Sequence, residues 1–270
     1  MSVKLIAVDM DGTFLSDSKS YNRARFSAQY QEMQRQGIKF VVASGNQFYQ
    51  LVSFFPEIAA QIAFVAENGA YVTSENQPLF CGHIPADDVR HILAELSQRD
   101  HLHTVVCGEQ GAWLHHSAPE KVTTLMSRHY HRLQRYHDVA ELPDDIFKFA
   151  LTLDDALIPS LSAHLHSVLN GSVTPVTSGF GFVDLIIPGV HKANGLKILQ
   201  RHWQIDDAEV LAFGDSANDR EMLTMAGYSF SMANASEEIK RVARYQAGHN
   251  NEEAVLDVIE RALEGGAPFN

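Results

Sequence analysis

Cysteine is nearly missing from this chain: Cys81 and Cys107 are the two in 270 residues, both in strand-like surroundings and without a CxxC spacing. No disulfide framework is signalled, and buried free thiols are expected. Positive charge is scarce as well, with 21 Lys and Arg against 33 Asp and Glu and a formal charge of -12. That balance argues against nucleic acid as a partner and against a basic membrane-surface protein. An anionic substrate would be repelled overall, so a phosphate site here needs locally concentrated positive charge. No stretch reaches the roughly 18 uninterrupted apolar residues of a membrane-spanning helix. The apolar run Leu5 to Val8 is broken at once by Asp9 and has neither a longer hydrophobic region nor a small-residue cleavage site after it. No signal peptide is expected, and the reading is of a soluble, cytoplasmic protein.

The rest of the composition, 45% hydrophobic and 20% charged, is that of an ordinary globular protein, which excludes disorder and fibrous repeats. The length suits one large domain or two modest ones, each able to bury a core. In the first 80 residues an apolar run, Leu5 to Val8, precedes an amphipathic stretch, Tyr21 to Gln36, and a second apolar run, Ile38 to Ala43. Phe26, Tyr30 and Met33 fall on one helical face, and Gly37 is placed to end that helix. A short helix around Phe48, Leu51 and Val52 stops near Pro56, and Ile62 to Ala66 again reads as strand. Such alternation predicts a parallel sheet with helices on both faces.

From about His83 the pattern changes. A helix bearing Val89, Ile92, Leu93 and Leu96 leads into strands Leu102 to Cys107 and Ala112 to His115, joined by a short glycine-containing link that suggests a hairpin. Strands near Phe147 to Leu153, Val173 to Thr177 and Phe182 to Ile187 surround a helix from Ile158 to Leu169. After Pro188-Gly189 the α/β alternation resumes, through helix Ala193 to His202, strand Val210 to Phe213, helix Asp219 to Ala226, strand Tyr228 to Met232 and a last helix from about Glu252 to Leu263. The expected architecture is therefore α/β: a Rossmann-like parallel sheet core from residues 1–82 and 187–270, with an inserted α+β cap domain over 83–186.

Chemistry concentrates where strands run out. Asp9-Met10-Asp11-Gly12-Thr13 follows the first buried strand, and ligands of open α/β sheets bind at the carboxyl ends of strands. Two carboxylates two residues apart repel unless a cation or proton neutralises them, and Mg²⁺ commonly takes one or two carboxylates with water and phosphate oxygens. Taken alone the motif could equally be an Asp-rich turn. A second strand, Val210 to Phe213, runs into Gly214-Asp215-Ser216-Ala217-Asn218-Asp219. There Asp215 could complete a metal site, and Asp219 could orient a ligand; helix capping explains one of these residues but not all the acids. Ser44-Gly45-Asn46 puts a hydroxyl and backbone N–H groups at a helix start, and Lys192 supplies a compact positive charge at another. Each of these alone is adequately read as an N-cap or a solvated lysine.

Together, in this order, the four features resemble those of the haloacid dehalogenase superfamily, matched by Asp9-Met10-Asp11-Gly12-Thr13, Ser44-Gly45-Asn46, Lys192 and Gly214-Asp215-Ser216-Ala217-Asn218-Asp219. An insertion between Glu67-Asn68-Gly69-Ala70 and the Lys192 helix is similar to that of the Cof-like phosphatases, which carry a large α+β cap, and the chain looks close to bacterial sugar phosphatases of that group. Ala217 departs from the pattern, since many relatives have glycine there.

The resemblance implies an Mg²⁺-dependent phosphatase acting on small sugar phosphates. Asp9 would be the nucleophile, forming an aspartyl-phosphate, and Asp11 the general acid and then base. Asp9, Asp11 through its backbone carbonyl, and Asp215 would hold Mg²⁺, with Asp219 in support. Ser44, Gly45, Asn46 and Lys192 would hold the phosphate, with Asn218 as a further donor. Phosphotransfer to another sugar is an expected side reaction when an acceptor beats water. The cap would select the alcohol, with Thr177 to Gly181 and Phe180 as candidate selectors. A sugar phosphomutase and a non-catalytic sugar-phosphate sensor are the alternatives; a nucleotide-binding dehydrogenase is disfavoured because no GxGxxG follows the first strand. A monomer or small homo-oligomer is expected. Eleven of the fourteen histidines lie between His83 and His166 without metal-ligand spacing, so solvated or core roles are expected for them. Arg128 to Arg132 reads as an exposed helix end.

Overall fold

Four apolar residues, Leu5–Val8, form strand β1, and all four are buried. A strand covered on both faces needs continuous rather than alternating hydrophobicity, and β1 is such a strand. The computed structural model describes residues 3–99, 102–143, 145–153, 157–169, 171–179 and 182–270. After β1 come α1 (Arg23–Gln36), β2 (Lys39–Ala43), α2 (Phe48–Phe54), β3 (Ala63–Ala66), β4 (Tyr71–Ser74) and β5 (Gln77–Cys81). Next are α3 (Ala86–Ser97), β6 (His103–Gly108), β7 (Gly111–His115), α4 (Glu120–Met126), β8 (Leu133–Tyr136), β9 (Ile146–Thr152), α5 (Ile158–Val168), β10 (Thr174–Gly179) and β11 (Phe182–Ile186). The chain closes with α6 (Lys192–Trp203), β12 (Val210–Gly214), α7 (Arg220–Met225), β13 (Tyr228–Ser231), α8 (Glu237–Val242), β14 (Tyr245–Gln246) and α9 (Ala254–Leu263). Among the described residues no helix is long and apolar enough to cross a membrane.

The main sheet has the order β14-β13-β12-β1-β2-β3-β4-β5 and draws its strands from both ends of the chain. Its central pairs, β1 with β12 and β2, β2 with β3, and β12 with β13, are parallel, as the alternating pattern predicts. Helix α1 starts where the Asn22 side chain accepts the Arg25 N–H, and ends at Gly37 with φ 71°. It buries Phe26, Tyr30 and Met33, the face read from their spacing.

One edge departs from expectation: β3, β4 and β5 run antiparallel. The β4–β5 turn is Glu75-Asn76, with φ of 50° and 61°. Both central residues thus adopt the left-handed conformation of a type I′ hairpin, but without the glycine that usually announces one.

The second sheet has the order β10-β11-β9-β6-β7-β8. Its β6–β7 hairpin is the one expected, whereas β7 and β8 are parallel and connected through α4. Helix α3 buries Val89, Ile92, Leu93 and Leu96, in one cluster with Val106, Phe149, Leu151, Val183 and Leu185 of the sheet and with Leu161 and Leu165 of α5. Because strand side chains alternate, the opposite face carries Val105, Cys107, Leu114, Lys148, Ala150 and Asp184. The apolar members of that face join the core cluster of the main sheet.

The run Arg128 to Arg132 follows the end of α4, with Arg128, His131 and Arg132 exposed as expected of a helix end. Tyr130 is buried, Gln50 Nε2 donates to the Arg128 carbonyl at 3.2 Å, and the Arg132 guanidinium lies 3.7 Å from the ring centre of Tyr49. The segment touches α2 through Gln50 and Tyr49, and Tyr130 is the residue it turns inward. Cys107 is buried and Cys81 half-buried, both as free thiols. His115, His116 and His137 bring their rings together at the edge of the second sheet, with centroids 4.3 and 4.2 Å apart. Phe180 lies outside the described residues.

Candidate active site

Asp9 leaves β1 with its N–H on the Phe213 carbonyl of β12 at 3.2 Å, so the two strand ends stay in register where the chain turns. The following loop folds back on Asp215: Thr13 Oγ1 donates to Asp215 Oδ1 at 2.9 Å. Gly12, at φ 77°, passes so close that a Cβ there would lie 2.7 Å from Asp215 Oδ2. Glycine is required at this turn for both its conformation and its lack of a side chain. At the end of β12, Asp219 Oδ2 accepts the N–H groups of Asp215 and Ser216, each at 3.0 Å, and this closes a tight turn. Asp219 therefore serves as a cap and still has Oδ1 directed inward.

Lys192 opens α6 and is buried, not solvated. Its Nζ donates to Asp9 Oδ1 at 2.5 Å and to Asp219 Oδ1 at 2.7 Å. Asp9, Asp215 and Asp219 bring ligand oxygens within 4.8 Å of one another. Burial pushes the Asp9 carboxyl well above the usual range; Lys192 opposes this, and Asp219 and Asp215 reinforce it. Burial and Asp219 likewise push Asp215 up to about 6. Burial lowers the proton affinity of Lys192, but Asp219 and Asp9 more than offset it and keep the ammonium charged. Three carboxylates around one ammonium leave excess negative charge in a dry site. A hard divalent cation bound by oxygens fits that donor set.

Asp11 is expected at the cation through its backbone carbonyl, and its carboxylate has other partners. Oδ1 accepts from Lys19 Nζ at 2.5 Å and Oδ2 from Asn46 Nδ2 at 2.6 Å, so the side chain bridges two loops outside the acidic cluster. Ser44 is buried at the end of β2, and its Oγ accepts the Asn46 N–H at 3.2 Å. Asn218 directs its amide N–H to Asn68 Oδ1 at 3.0 Å and accepts the Ser216 hydroxyl at 2.7 Å; in this arrangement its amide serves the loop framework.

Several residues at the site were given no role from sequence. Glu67 and Asn68 sit at φ 53° and 58° in the turn after β3, and both are buried. Lys148 of β9 pairs with the Glu67 carboxylate, lies 3.7 Å from Asp184 Oδ2 and donates to the Gly45 carbonyl at 2.9 Å. Asp184 of β11 accepts from Asn68 Nδ2 at 3.0 Å. Burial pushes both the Glu67 and the Asp184 carboxyls up, with Lys148 opposing. The available signal was a lone charge inside each of two apolar strands, Phe147-Lys148-Phe149 and Val183-Asp184-Leu185. Charged residues are almost never fully buried unless paired, so each called for a partner.

The profile of the haloacid dehalogenase-like hydrolases matches residues 6–259. Over 270 residues, the full length of both chains, the protein is 52% identical to the 5-amino-6-(5-phospho-D-ribitylamino)uracil phosphatase YbjI of Escherichia coli strain K12. Among solved structures it is similar to SMU.1108c from Streptococcus mutans UA159, with a TM-score of 0.91 and 35% identity over 97% of this chain and 100% of that one. A haloacid dehalogenase-like hydrolase from Bacteroides thetaiotaomicron superposes with a TM-score of 0.84 and 25% identity, over 96% of this chain and 99% of the other.

Proposed function

The chain belongs to the haloacid dehalogenase-like hydrolases and is a phosphoric monoester hydrolase of small substrates; from this premise we propose that it hydrolyses sugar or sugar-alcohol phosphates through an aspartyl-phosphate on Asp9, with Mg²⁺ as its cation. The observation that carries the reading is the Lys192 ammonium held between Asp9 and Asp219, with Asp215 alongside, at the carboxyl ends of β1 and β12. The substrate class is supported by the 52% identical relative, whose named substrate carries its phosphate on a ribityl chain.

In this reading Asp9 attacks phosphorus in line, the ester P–O bond breaks, and the leaving oxygen takes a proton from Asp11. Water activated by Asp11 then attacks phosphorus, which releases phosphate and restores the Asp9 carboxylate. Lys19 and Asn46 each donate to one Asp11 oxygen and so orient its carboxylate, while the second lone pair of each oxygen stays free for proton transfer. Lys192 and the Ser44-Gly45-Asn46 loop bind the transferring oxygens, and fixed donors of this kind stabilise charge as it develops. A cation on Asp9, Asp215, the Asp11 carbonyl and, in support, Asp219 would offset the charge between carboxylates and phosphate. The 83–186 block acts as a cap and selects the alcohol.

The test is phosphate release from sugar phosphates, sugar-alcohol phosphates, nucleotides and an aryl phosphate, with MgCl₂ or with EDTA, beside Asp9→Asn. Mg²⁺-dependent release favouring polyol esters and lost in Asp9→Asn is expected. Turnover by a folded Asp9→Asn protein removes the covalent route, and an isomeric sugar phosphate formed without free phosphate identifies a mutase instead.

A further inference from the structure

Three successive carbonyls of the Ser44-Gly45-Asn46 loop are anchored from outside. The Asn68 N–H donates to the Ser44 carbonyl at 3.0 Å and the Glu67 N–H to the Asn46 carbonyl at 3.2 Å. The middle one, on Gly45, is held by Lys148 Nζ at 2.9 Å, a side chain from the second sheet 103 residues away. A peptide is planar, so the orientation of the Gly45 carbonyl also sets that of the Asn46 N–H on its opposite side. That N–H donates to Ser44 Oγ at 3.2 Å.

The same two strands of the second sheet grip the adjoining turn. Lys148 pairs with the Glu67 carboxylate, and Asp184 accepts from Asn68, whose Oδ1 in turn accepts from Asn218. Glu67 and Asn68 both occupy the left-handed region, a conformation that persists in such residues where surrounding contacts hold it. Asn68 also lies against the loop: a Cβ on Gly45 would stand 3.0 Å from its Oδ1.

We propose that Lys148 and Asp184 are positioning residues of the cap: Lys148 sets the Gly45–Asn46 peptide so that its N–H holds Ser44 Oγ, leaving the Ser44 hydroxyl proton for the phosphoryl group, and Asp184 locks the Asn68–Asn218 pair that braces the loop. The inference rests on the reading that this loop binds phosphate. It makes phosphate affinity depend on two residues that do not touch the phosphate and lie in another sheet. Docking of the cap is thereby coupled to the readiness of the phosphate site, whatever alcohol the cap selects.

The experiment measures inhibition by orthovanadate, and kcat and KM for p-nitrophenyl phosphate, in MgCl₂. Proteins compared are the wild type, Lys148→Met, Lys148→Met with Glu67→Gln, Lys148→Arg and Asp184→Asn, each checked for a cooperative melt. The double variant removes the unpaired Glu67 charge that could unfold the single one. Expected is orthovanadate binding weakened about tenfold or more, the scale of a misaligned oxyanion donor, in the two Met variants and in Asp184→Asn. Lys148→Arg, which keeps a donor, should recover part of it. Folded double variant and Asp184→Asn proteins that bind orthovanadate within about twofold of wild type overturn the inference, since a purely structural role moves the melt and not this affinity. A wild type that binds no orthovanadate overturns the phosphate-loop reading, and this inference with it.

Discussion

Replacing Lys192 with methionine keeps most of the side-chain volume and removes one charge from the centre of the site. The exposures decide the size of the effect: the Lys192 and Asp219 side chains are 0% exposed and that of Asp9 is 7%. An exposed ion pair would be worth at most about 1 kcal/mol. Removing one partner of a buried pair instead costs about 3–5 kcal/mol, because the other charges stay behind without compensation. Here two carboxylates lose their ammonium at once, so the metal-free protein should lose stability in that range. At roughly 2–4 °C per kcal/mol, the melting temperature should fall by about 6–20 °C. The loss should also depend on pH. Burial already holds the Asp9 carboxyl above its ordinary range and Lys192 opposes that, so without Lys192 the folded-state pKa of Asp9 rises further above its unfolded value. A raised acid stabilises the fold at low pH, and this contribution is lost as pH rises, so the gap to wild type should widen from pH 5 to pH 8. Urea denaturation followed by circular dichroism in EDTA measures the gap, and a repeat in MgCl₂ should narrow it as a cation replaces the lost charge. A gap below about 1 kcal/mol in EDTA at pH 8, or one that shrinks as pH rises, would refute the reasoning.

Further outcomes follow from the same geometry. Asp11→Asn should lower kcat by about 10²–10⁴ for alkyl phosphates, the usual worth of a general acid; the defect should shrink for p-nitrophenyl phosphate, and an equal loss on both contradicts the acid role. Asp215 titrates near 6 in the metal-free fold, above its ordinary 3.8. Protonated Asp215 thus favours the metal-free fold at pH 5 and competes with the cation there, so the rise in melting temperature on adding MgCl₂ should be larger at pH 7.5 than at pH 5; a rise independent of pH would remove Asp215 from the ligand set. Gly195 in α6 packs so closely that a Cβ would collide with Val65 Cγ1 of buried β3. Alanine gains about 1 kcal/mol of helix propensity but incurs about 1–3 kcal/mol of overpacking against a stiff branched side chain. Gly195→Ala should therefore be destabilised by up to about 2 kcal/mol in urea, and a variant more stable than wild type would show that α6 can shift.

The chemistry-bearing loops were legible because each is a local event. β1 and β12 are unbroken apolar runs that end in acids, and Lys192 follows a glycine turn and starts a helix. Helix α1 was readable from Phe26, Tyr30 and Met33, whose 3.6-residue spacing states which face is buried. The β4–β5 hairpin was missed because Glu75-Asn76 adopts a glycine-like turn without glycine, and the parallel β7–β8 pair because its α4 crossover spans one short helix.

Sequence alone determined the order of elements and the acids at the strand ends, since periodicity, turn chemistry and motif spacing act within a few residues, while the class of reaction came from the resemblance of those motifs to a family. Tertiary structure alone decided which charges meet. Lys148 with Glu67, Asp184 with Asn68 and Arg132 with Tyr49 join positions about 80 to 116 residues apart. It also turned the Asp11 carboxylate to Lys19 and Asn46, and buried Lys192 between two carboxylates. No local pattern encodes such partners, because a charge buried in an apolar strand is tolerated only when another part of the fold delivers its counter-charge, and that delivery depends on how the sheets are stacked.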